Sequence, residues 1–147
     1  MITAYDYSMA KCVSATSIDI ILIGDSLGMV VLGYEDTLQV TVENVIYHCS
    51  AVRRGAPETF IIADMPYLSY HLSEEQTRKN AADLIIKGKA DAVKLEGGYP
   101  SRIDAIKAIV DMEIPCLLYT SDAADDLLCV DLGGRRIIKK KTKTTKG

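Results

Sequence analysis

The sequence predicts an α/β protein whose parallel sheet is built from βα units, and three observations support this prediction. Short apolar runs alternate four times with longer helix-like stretches over residues 2–112, as in folds where strands and helices alternate. The run at residues 20–23 is apolar throughout, as expected for a strand covered on both faces. Three runs end at or near an acidic residue: Asp25, Asp64 and Glu96. Ligands of α/β sheets and barrels bind at the carboxyl ends of strands, so we expect the functional site at this edge.

The predicted elements follow one another in a regular order. Strands are expected at four apolar runs: residues 2–5, 19–23, 59–63 and 92–95. Helices are expected at four longer stretches: about residues 6–15, 42–54, 73–87 and 101–112. Residues 28–33 are punctuated by glycine and predict a loop, and residues 114–115 look like the approach to a fifth strand. The chain therefore predicts four βα units.

Residues at the helix ends support these assignments. Asp6 and Thr41 stand where the first two helices begin, and both residue types are favoured N-caps. Ser73 is followed three residues later by glutamine, which fits a capping box. We interpret Arg53 as a partner of the helix dipole and Gly55 as the C-cap of the same helix.

Composition limits the class of protein. The chain has 147 residues, 48% of them hydrophobic, which suffices for one domain with a sizeable core. Its net charge of −3 gives no indication of a nucleic-acid or anionic membrane partner. The four cysteines are widely spaced and form no C-x-x-C pair, so neither a zinc site nor a disulfide framework is indicated. Without an apolar run of about 20 residues or a signal-peptide pattern, we expect a cytoplasmic protein with no membrane and no nucleic-acid partner.

The βα pattern stops after Pro115, and we expect a domain at residues 1–115 followed by an unstructured tail at residues 116–147. The first part carries 10 basic and 16 acidic side chains, whereas the tail carries 7 and 4. A basic, disordered arm is one explanation of the tail. The segment CLLYTSDAADDLLCVDLGGRRII is, however, similar to the translation of a transposon-type sequencing adaptor, and a run of AAA codons would encode the lysines that follow. We therefore interpret the tail as adaptor read-through.

Asp25, Asp64 and Glu96 form the predicted metal site. Each of these acids alone is more often a helix cap or a solvated loop residue, but their repetition at equivalent strand ends favours a shared site. Mg²⁺ binds hard oxygen ligands and usually takes only one or two carboxylates directly, while keeping several waters. We therefore expect a Mg²⁺ site in which some of the three carboxylates act through water.

Lys94 and Ser26 are the candidate ligands of a small acid. Lys94 points to the same side of the sheet as Glu96, because the two residues are separated by one position in a strand. A lysine in an apolar strand is costly unless it is paired. Its ammonium either binds the carboxylate of a small acid or forms an ion pair with Asp64 or Glu96. Ser26 could donate to the same acid from a glycine-flanked turn suited to anions.

Five motifs stand in order along the chain. They are ITAYDYSMAK at residues 2–11, IGDSLGMVVLGY at 23–34, TVENVIYHCSAVRRGAP at 41–57, ADMPYLSY at 63–70 and ADAVKLEGG at 90–98. In sequence and spacing they resemble the ketopantoate hydroxymethyltransferase family, whereas GDS alone would be a weak signal. The resemblance implies a (β/α)₈ TIM barrel, of which residues 1–115 are the N-terminal half with about the first four βα units.

The resemblance also implies an activity and its ligands. Members of this family transfer a hydroxymethyl group from 5,10-methylenetetrahydrofolate to 3-methyl-2-oxobutanoate and so make 2-dehydropantoate for pantothenate and coenzyme A biosynthesis. By resemblance, Mg²⁺ is associated with Asp25, Asp64 and Glu96. The residues implied to bind the 2-oxo acid are Asp25, Ser26, Asp64 and Lys94. Methylenetetrahydrofolate would be the co-substrate, and full-length members are expected to be homo-oligomers.

Two departures from the family pattern limit the expected activity. The family's general base is a glutamate from a later strand, so no residue here can be assigned as the catalytic base. The family motif GHxGLTPQ should begin just after Pro115, where LLYTSDAADD stands instead. We therefore expect an inactive enzyme fragment whose two open sheet edges make it poorly soluble.

Two other functions remain as alternatives. One is a Mg²⁺-dependent 2-oxo-acid lyase or mutase of the isocitrate lyase-like barrels. The other is a non-catalytic binding or oligomerisation module.

Overall fold

The computed structural model describes residues 1–97, 99–119 and 128–130, which form one sheet with its strands in sequence order. The strands are β1 (Ile2–Thr3), β2 (Ile20–Ile23), β3 (Phe60–Asp64), β4 (Ala92–Glu96), β5 (Cys116–Tyr119) and β6 (Leu128–Val130). Strands β1 to β5 are parallel, and β6 pairs with β5 in the antiparallel direction. Each parallel strand therefore lies beside its neighbour in sequence, as βα units require.

Within residues 1–119, five described helices lie between these strands. They are α1 (Tyr7–Ser14), α2 (Leu27–Val30), α3 (Val42–Gly55), α4 (Glu74–Ile86) and α5 (Ile103–Val110), the last preceded by a 3₁₀ turn at Pro100–Arg102. Every predicted helix and strand is present within two residues of its predicted bounds. Helix α2 was not predicted, because its four residues are too few to show a helical period. Among the described residues, no helix is long and apolar enough to cross a membrane.

The predicted N-caps form, although one capping box is only half made. Asp6 accepts a hydrogen bond from the backbone N–H of Met9 at 2.8 Å. Thr41 accepts from the N–H of Asn44 at 3.2 Å, and the Asn44 side chain accepts from the N–H of Thr41 at 2.9 Å. Ser73 accepts from the N–H of Gln76 at 3.1 Å. The side-chain oxygen of Gln76, however, is buried without a hydrogen-bond partner among the described residues.

The core lies between the sheet and a single layer of helices. Ile21, Ile61 and Val93 are fully buried and belong to the same apolar cluster as Val52 and Leu84 of the helices. The four longer helices contact one another in order, α1 with α3, α3 with α4, and α4 with α5. Because side chains alternate along a strand, the opposite face of the sheet carries the intervening residues. Those residues include Leu22, Ile62, Asp64 and Lys94.

Gly55 has a different role from the predicted C-cap. It is the last residue of α3, and its φ is not in the left-handed region. A Cβ placed there would lie 2.9 Å from the Cβ of Ala10 and would also clash with the carbonyl oxygen of Tyr7. Glycine is therefore required by the close approach of α1 and α3.

The sheet continues past the predicted boundary at Pro115. Strand β5 pairs with β4, and Cys116 and Leu118 are buried against the core. The prediction of an unstructured tail is therefore corrected at residues 116–119 and 128–130, because backbone pairing of β5 with β4 and of β6 with β5 extends the sheet. The remainder of the predicted tail lies outside the described residues, and its origin as adaptor read-through stays a prediction.

Candidate active site

Three acidic residues meet at the carboxyl edge of the sheet. Asp25 lies two residues after β2, whereas Asp64 and Glu96 are the last residues of β3 and β4. All three line one cavity of about 120 Å³. Its wall is formed by Asp25, Thr37, Leu38, Asp64, Met65, Tyr67, Tyr70 and Glu96. The parallel order of the strands thus brings the three predicted metal ligands together, while their role in metal binding stays a prediction.

Lys94 forms ion pairs with two of these acids. Its Nζ lies 2.8 Å from Oδ1 of Asp64 and 3.1 Å from Oε1 of Glu96. Lys94 and Asp64 are 8% and 5% exposed, so their pairing offsets much of the cost of burying two charges. The ion-pair explanation of Lys94 is therefore what the structure shows. Binding of a substrate carboxylate would require the ammonium to share or exchange these partners.

Asp64 is the best-anchored acid of the three. Its Oδ1 accepts from Lys94, and its Oδ2 accepts from the backbone N–H of Asp25 at 3.2 Å. Burial raises the pKa of Asp64 to about 6, although the neighbouring ammonium of Lys94 opposes this rise. The side chain thus links the ends of β2, β3 and β4 through hydrogen bonds.

The cavity has an excess of acidic groups. Burial, followed by the negative charge of Glu96, raises the pKa of Asp25. Burial alone would lower the pKa of Lys94, but Asp64 and Glu96 outweigh that effect and raise it. One ammonium therefore lies among three carboxyl groups, and neighbouring acids disfavour the ionisation of Asp25 and Asp64. Such a site attracts an additional cation.

The donor set fits Mg²⁺ by its chemistry. The three carboxylates offer only hard oxygen ligands around one cavity, which is the preference of this ion. Within the described parts of the chain, no three His, Cys, Asp or Glu side chains are grouped closely enough to enclose a metal by themselves. Direct binding by one or two carboxylates, with water as the remaining ligands, fits both observations.

Ser26 is held by a tyrosine that the sequence did not single out. The hydroxyls of Tyr5 and Ser26 are 2.7 Å apart and share a hydrogen bond. A Cβ at Gly24 would lie 2.9 Å from Oγ of Ser26 and 3.4 Å from Oδ2 of Asp64. The glycine before Asp25 therefore lets the β2 turn pack against β3. Neither Ser26 nor Lys94 forms part of the cavity wall, and Lys94 contacts the wall through its ion pairs with Asp64 and Glu96.

Tyr70 and Thr37 also belong to the site, and the sequence analysis missed them. The Tyr70 hydroxyl donates to the carbonyl oxygen of Glu96 at 3.1 Å. A hydrogen bond from Thr37 to Asp25 opposes the rise in the pKa of that acid, which burial causes. Tyr70 lies in the loop after β3 and Thr37 in the loop between α2 and α3, and this position in a connection that follows a strand was the available signal. Their partners are distant in sequence, however, and no spacing rule identifies them.

A parallel sheet with helices on one face and an acid-lined cavity at its strand ends defines an α/β protein of the barrel class with a site for small polar ligands. A model of the ketopantoate hydroxymethyltransferase family matches residues 1–119. The chain is 58% identical over 117 residues to a 3-methyl-2-oxobutanoate hydroxymethyltransferase of Clostridium botulinum. It is 54% identical over 115 residues to the protein of that name from Bacillus subtilis. This chain belongs to the ketopantoate hydroxymethyltransferase family.

The similarity covers most of this chain but less than half of each relative. The two alignments cover 80% and 78% of this chain, and 42% and 41% of the relatives. The chain therefore spans about 42% of the length of the curated relatives that it matches.

Solved structures confirm the fold class. A 2,3-dimethylmalate lyase, described as a PEP mutase/isocitrate lyase superfamily member, superposes with a TM-score of 0.65 at 14% identity, covering 83% of this chain and 47% of the lyase. An oxaloacetate acetylhydrolase gives a TM-score of 0.65 at 13% identity, covering 84% of this chain and 48% of the other. At such identity the likeness concerns the fold alone. The predicted (β/α)₈ TIM-barrel class is confirmed, with four βα units and a fifth parallel strand here.

Proposed function

We propose that this chain supplies the 2-oxo-acid and Mg²⁺ sites for hydroxymethyl transfer from 5,10-methylenetetrahydrofolate to 3-methyl-2-oxobutanoate, in pantothenate biosynthesis. The observation that carries the proposal is the single cavity lined by Asp25, Asp64 and Glu96 and backed by Lys94. The names of the close relatives support the same reaction. This chain spans about 42% of the length of its relatives. The complete transfer reaction is therefore proposed for the complete protein.

The residues of the cavity have distinct proposed roles. Lys94 binds the carboxylate of the oxo acid, and Ser26 donates its hydroxyl to the same ligand from the end of β2. Asp25, Asp64 and Glu96 hold Mg²⁺ directly or through water. When bound, the ion supplies positive charge that stabilises the oxygen of the 2-oxo group as the neighbouring carbon loses its proton. Asp25 and Asp64 also position the oxo acid beside the ion.

The location, partners and oligomeric state of the protein are proposed on the same basis. We infer that it acts in the cytoplasm on small molecules, without a nucleic-acid or membrane partner, and that the complete protein forms homo-oligomers. Family membership supports small-molecule substrates. The fold likeness to a lyase at 14% identity adds no support to the lyase or mutase alternative, because such a likeness carries no argument about activity.

Substitution of Lys94 tests the oxo-acid site. We expect Lys94→Met to weaken binding of 3-methyl-2-oxobutanoate at least about 10-fold, because the ammonium is paired with two acids of the cavity wall and a charged hydrogen bond contributes about 1.5–3 kcal/mol. Isothermal titration calorimetry in the presence of Mg²⁺ measures the affinity. Lys107→Met on the exposed side of α5 is the matched control and should bind as the wild type does. Equal affinity in all three proteins contradicts the assigned role.

Loss of Lys94 leaves Asp64 buried without its cation, which can cost about 3–5 kcal/mol of stability. Asp25→Asn provides a second test, because Asp25 lies on the cavity wall and is less buried. We expect this variant to fold and to lose the dependence of oxo-acid binding on Mg²⁺. An unchanged dependence on Mg²⁺ contradicts the assignment of Asp25.

A further inference from the structure

We propose that Tyr70 is a positioning residue that fixes Glu96 relative to Asp64 and thereby sets the affinity of the cavity for a divalent cation. The inference rests on the proposed function only for the presence of that cation. Tyr70 lies in the loop after β3, whereas Glu96 ends the neighbouring strand β4. The tyrosine therefore connects the two strand ends that carry these acids.

One hydroxyl holds both backbone groups of Glu96. It donates to the Glu96 carbonyl oxygen at 3.1 Å and accepts from the Glu96 N–H at 3.3 Å. Tyr70 is only 7% exposed, and burial raises the pKa of its hydroxyl. The group therefore keeps its proton at neutral pH and can donate and accept at the same time.

The loop that carries Tyr70 is itself anchored. The Asn80 side chain in α4 donates to the carbonyl oxygen of Ser69 at 2.7 Å. The rings of Tyr70 and His71 are in contact, with centroids 4.3 Å apart, and the Arg102 guanidinium lies 5.6 Å from the centre of the Tyr70 ring. These contacts restrict the phenol ring, so its hydroxyl acts as a fixed point for Glu96.

Glu96 needs such support because the strand changes direction directly after it. Gly97 has a φ of 108°, a conformation that side chains rarely allow. The Glu96 side chain is 58% exposed and is held on one side by Lys94. Without the Tyr70 hydroxyl, the backbone of Glu96 would lose its link to the β3 loop, and its carboxylate would sample more positions relative to Asp64. Loss of such a support typically lowers metal affinity about 10–100-fold.

A second tyrosine makes a similar contact between neighbouring strand ends. Tyr5, after β1, is bonded through its hydroxyl to Ser26, after β2. The carbonyl oxygen of Tyr5 in turn accepts from Nδ1 of the buried His48 at 2.7 Å. In two places, a tyrosine that follows one strand is thus bonded to a site residue at or just after the end of the next strand, which supports positioning as the role of the hydroxyl.

The test measures Mn²⁺ affinity by electron paramagnetic resonance in the full chain. We expect Tyr70→Phe, which keeps the ring and removes only the hydroxyl, to raise the Kd for Mn²⁺ about 10-fold. Tyr47→Phe changes a tyrosine that is 72% exposed on α3 and should match the wild type. Thermal unfolding of each variant shows whether the fold is retained.

A double-mutant cycle separates positioning from a general structural effect. If Tyr70 acts through Glu96, the double variant Tyr70→Phe/Glu96→Gln should bind Mn²⁺ no more weakly than Glu96→Gln alone. In the double variant the Glu96 carboxylate is already absent, so loss of the Tyr70 hydroxyl has no carboxylate left to misplace. If Tyr70→Phe loosened the loop in general, it would weaken Mn²⁺ binding in the double variant by as much as it does in the single variant. Additive losses overturn the proposal.

Two further results have separate meanings. If Tyr70→Phe binds Mn²⁺ with the wild-type Kd, the positioning role is wrong while the proposed metal site stands. If the wild-type chain binds no Mn²⁺, the metal site under the proposed function fails, and the inference about Tyr70 fails with it.

Discussion

Cys49 shows how strongly the pKa of a single side chain depends on its burial in the core. The thiol lies in α3 and is fully buried, and this burial raises its pKa to about 12. The folded chain therefore keeps the thiol proton between pH 9 and about 12, whereas the unfolded chain loses it. Because the folded state binds the extra proton, the Cys49 contribution to stability falls as the pH rises through this range.

The reactivity of Cys49 provides a direct measurement of this burial. In a chain with the other three cysteines changed to serine, we expect iodoacetamide at pH 9 to modify Cys49 much more slowly than in 8 M urea (about 100-fold or more), because the thiolate is the reactive form. A chain that retains only the exposed Cys12 is the control and should react at similar rates in both conditions. Equal rates for Cys49 with and without urea would show that the thiol is not buried in the core.

At the residue scale, the sequence identified charged groups better than neutral ones. Asp25, Asp64 and Glu96 were visible because an acid directly after an apolar strand is unusual, and the structure brings them to one cavity. Tyr5 and Tyr70 were missed, because each acts through a hydroxyl bonded to a residue 21 or 26 positions away. Local spacing carries no information about such contacts.

Arg53 illustrates the element scale, since it ties one helix to two strands. Its guanidinium donates to the carbonyl oxygens of Pro57 and Thr59, each at 2.9 Å, and its Nε donates to that of Lys89 at 3.0 Å. It also pairs with Asp91, which accepts from the N–H of Ile61 at 2.7 Å. Arg53 therefore does more than the predicted interaction with the helix dipole, because it joins α3 to the amino ends of β3 and β4.

Replacement of Arg53 by lysine keeps the charge but removes the planar set of donors. We expect Arg53→Lys to lower the free energy of unfolding by about 2 kcal/mol, because two or more hydrogen bonds of about 1 kcal/mol each are lost. Urea denaturation followed by circular dichroism measures the change. The adjacent, exposed Arg54→Lys should change stability by less than about 0.5 kcal/mol. Equal effects at the two positions would refute the role of Arg53.

Helices and strands were predictable where the hydrophobic pattern was long enough to show a period, or where a capping residue marked the start of a helix. Asp6, Thr41 and Ser73 all cap the helices that they were expected to begin. Helix α2 has four residues, and the strand after Pro115 also has only four, so neither offered a clear pattern within an irregular sequence. These short elements are stabilised by the sheet and core around them, which local sequence does not reveal.

At the scale of the whole molecule, the alternation of strands and helices predicted the parallel sheet, and the family resemblance added the barrel class. Helices cover one face of the sheet, whereas Leu22, Phe60 and Leu117 on the other face are only partly buried. Residues from that second face, Asp64, Lys94 and Glu96, supply the site. The predicted poor solubility of the chain stays a prediction.

We propose that one cavity binds both a divalent cation and a 2-oxo acid. The most direct measurement is a titration of 3-methyl-2-oxobutanoate into the unmodified chain, with and without Mg²⁺, followed by the reverse titration. We predict that each ligand strengthens the binding of the other by the same factor of at least about 5, since such coupling is reciprocal. Oxo-acid binding that is absent, or that has the same Kd with and without Mg²⁺, would contradict the shared site.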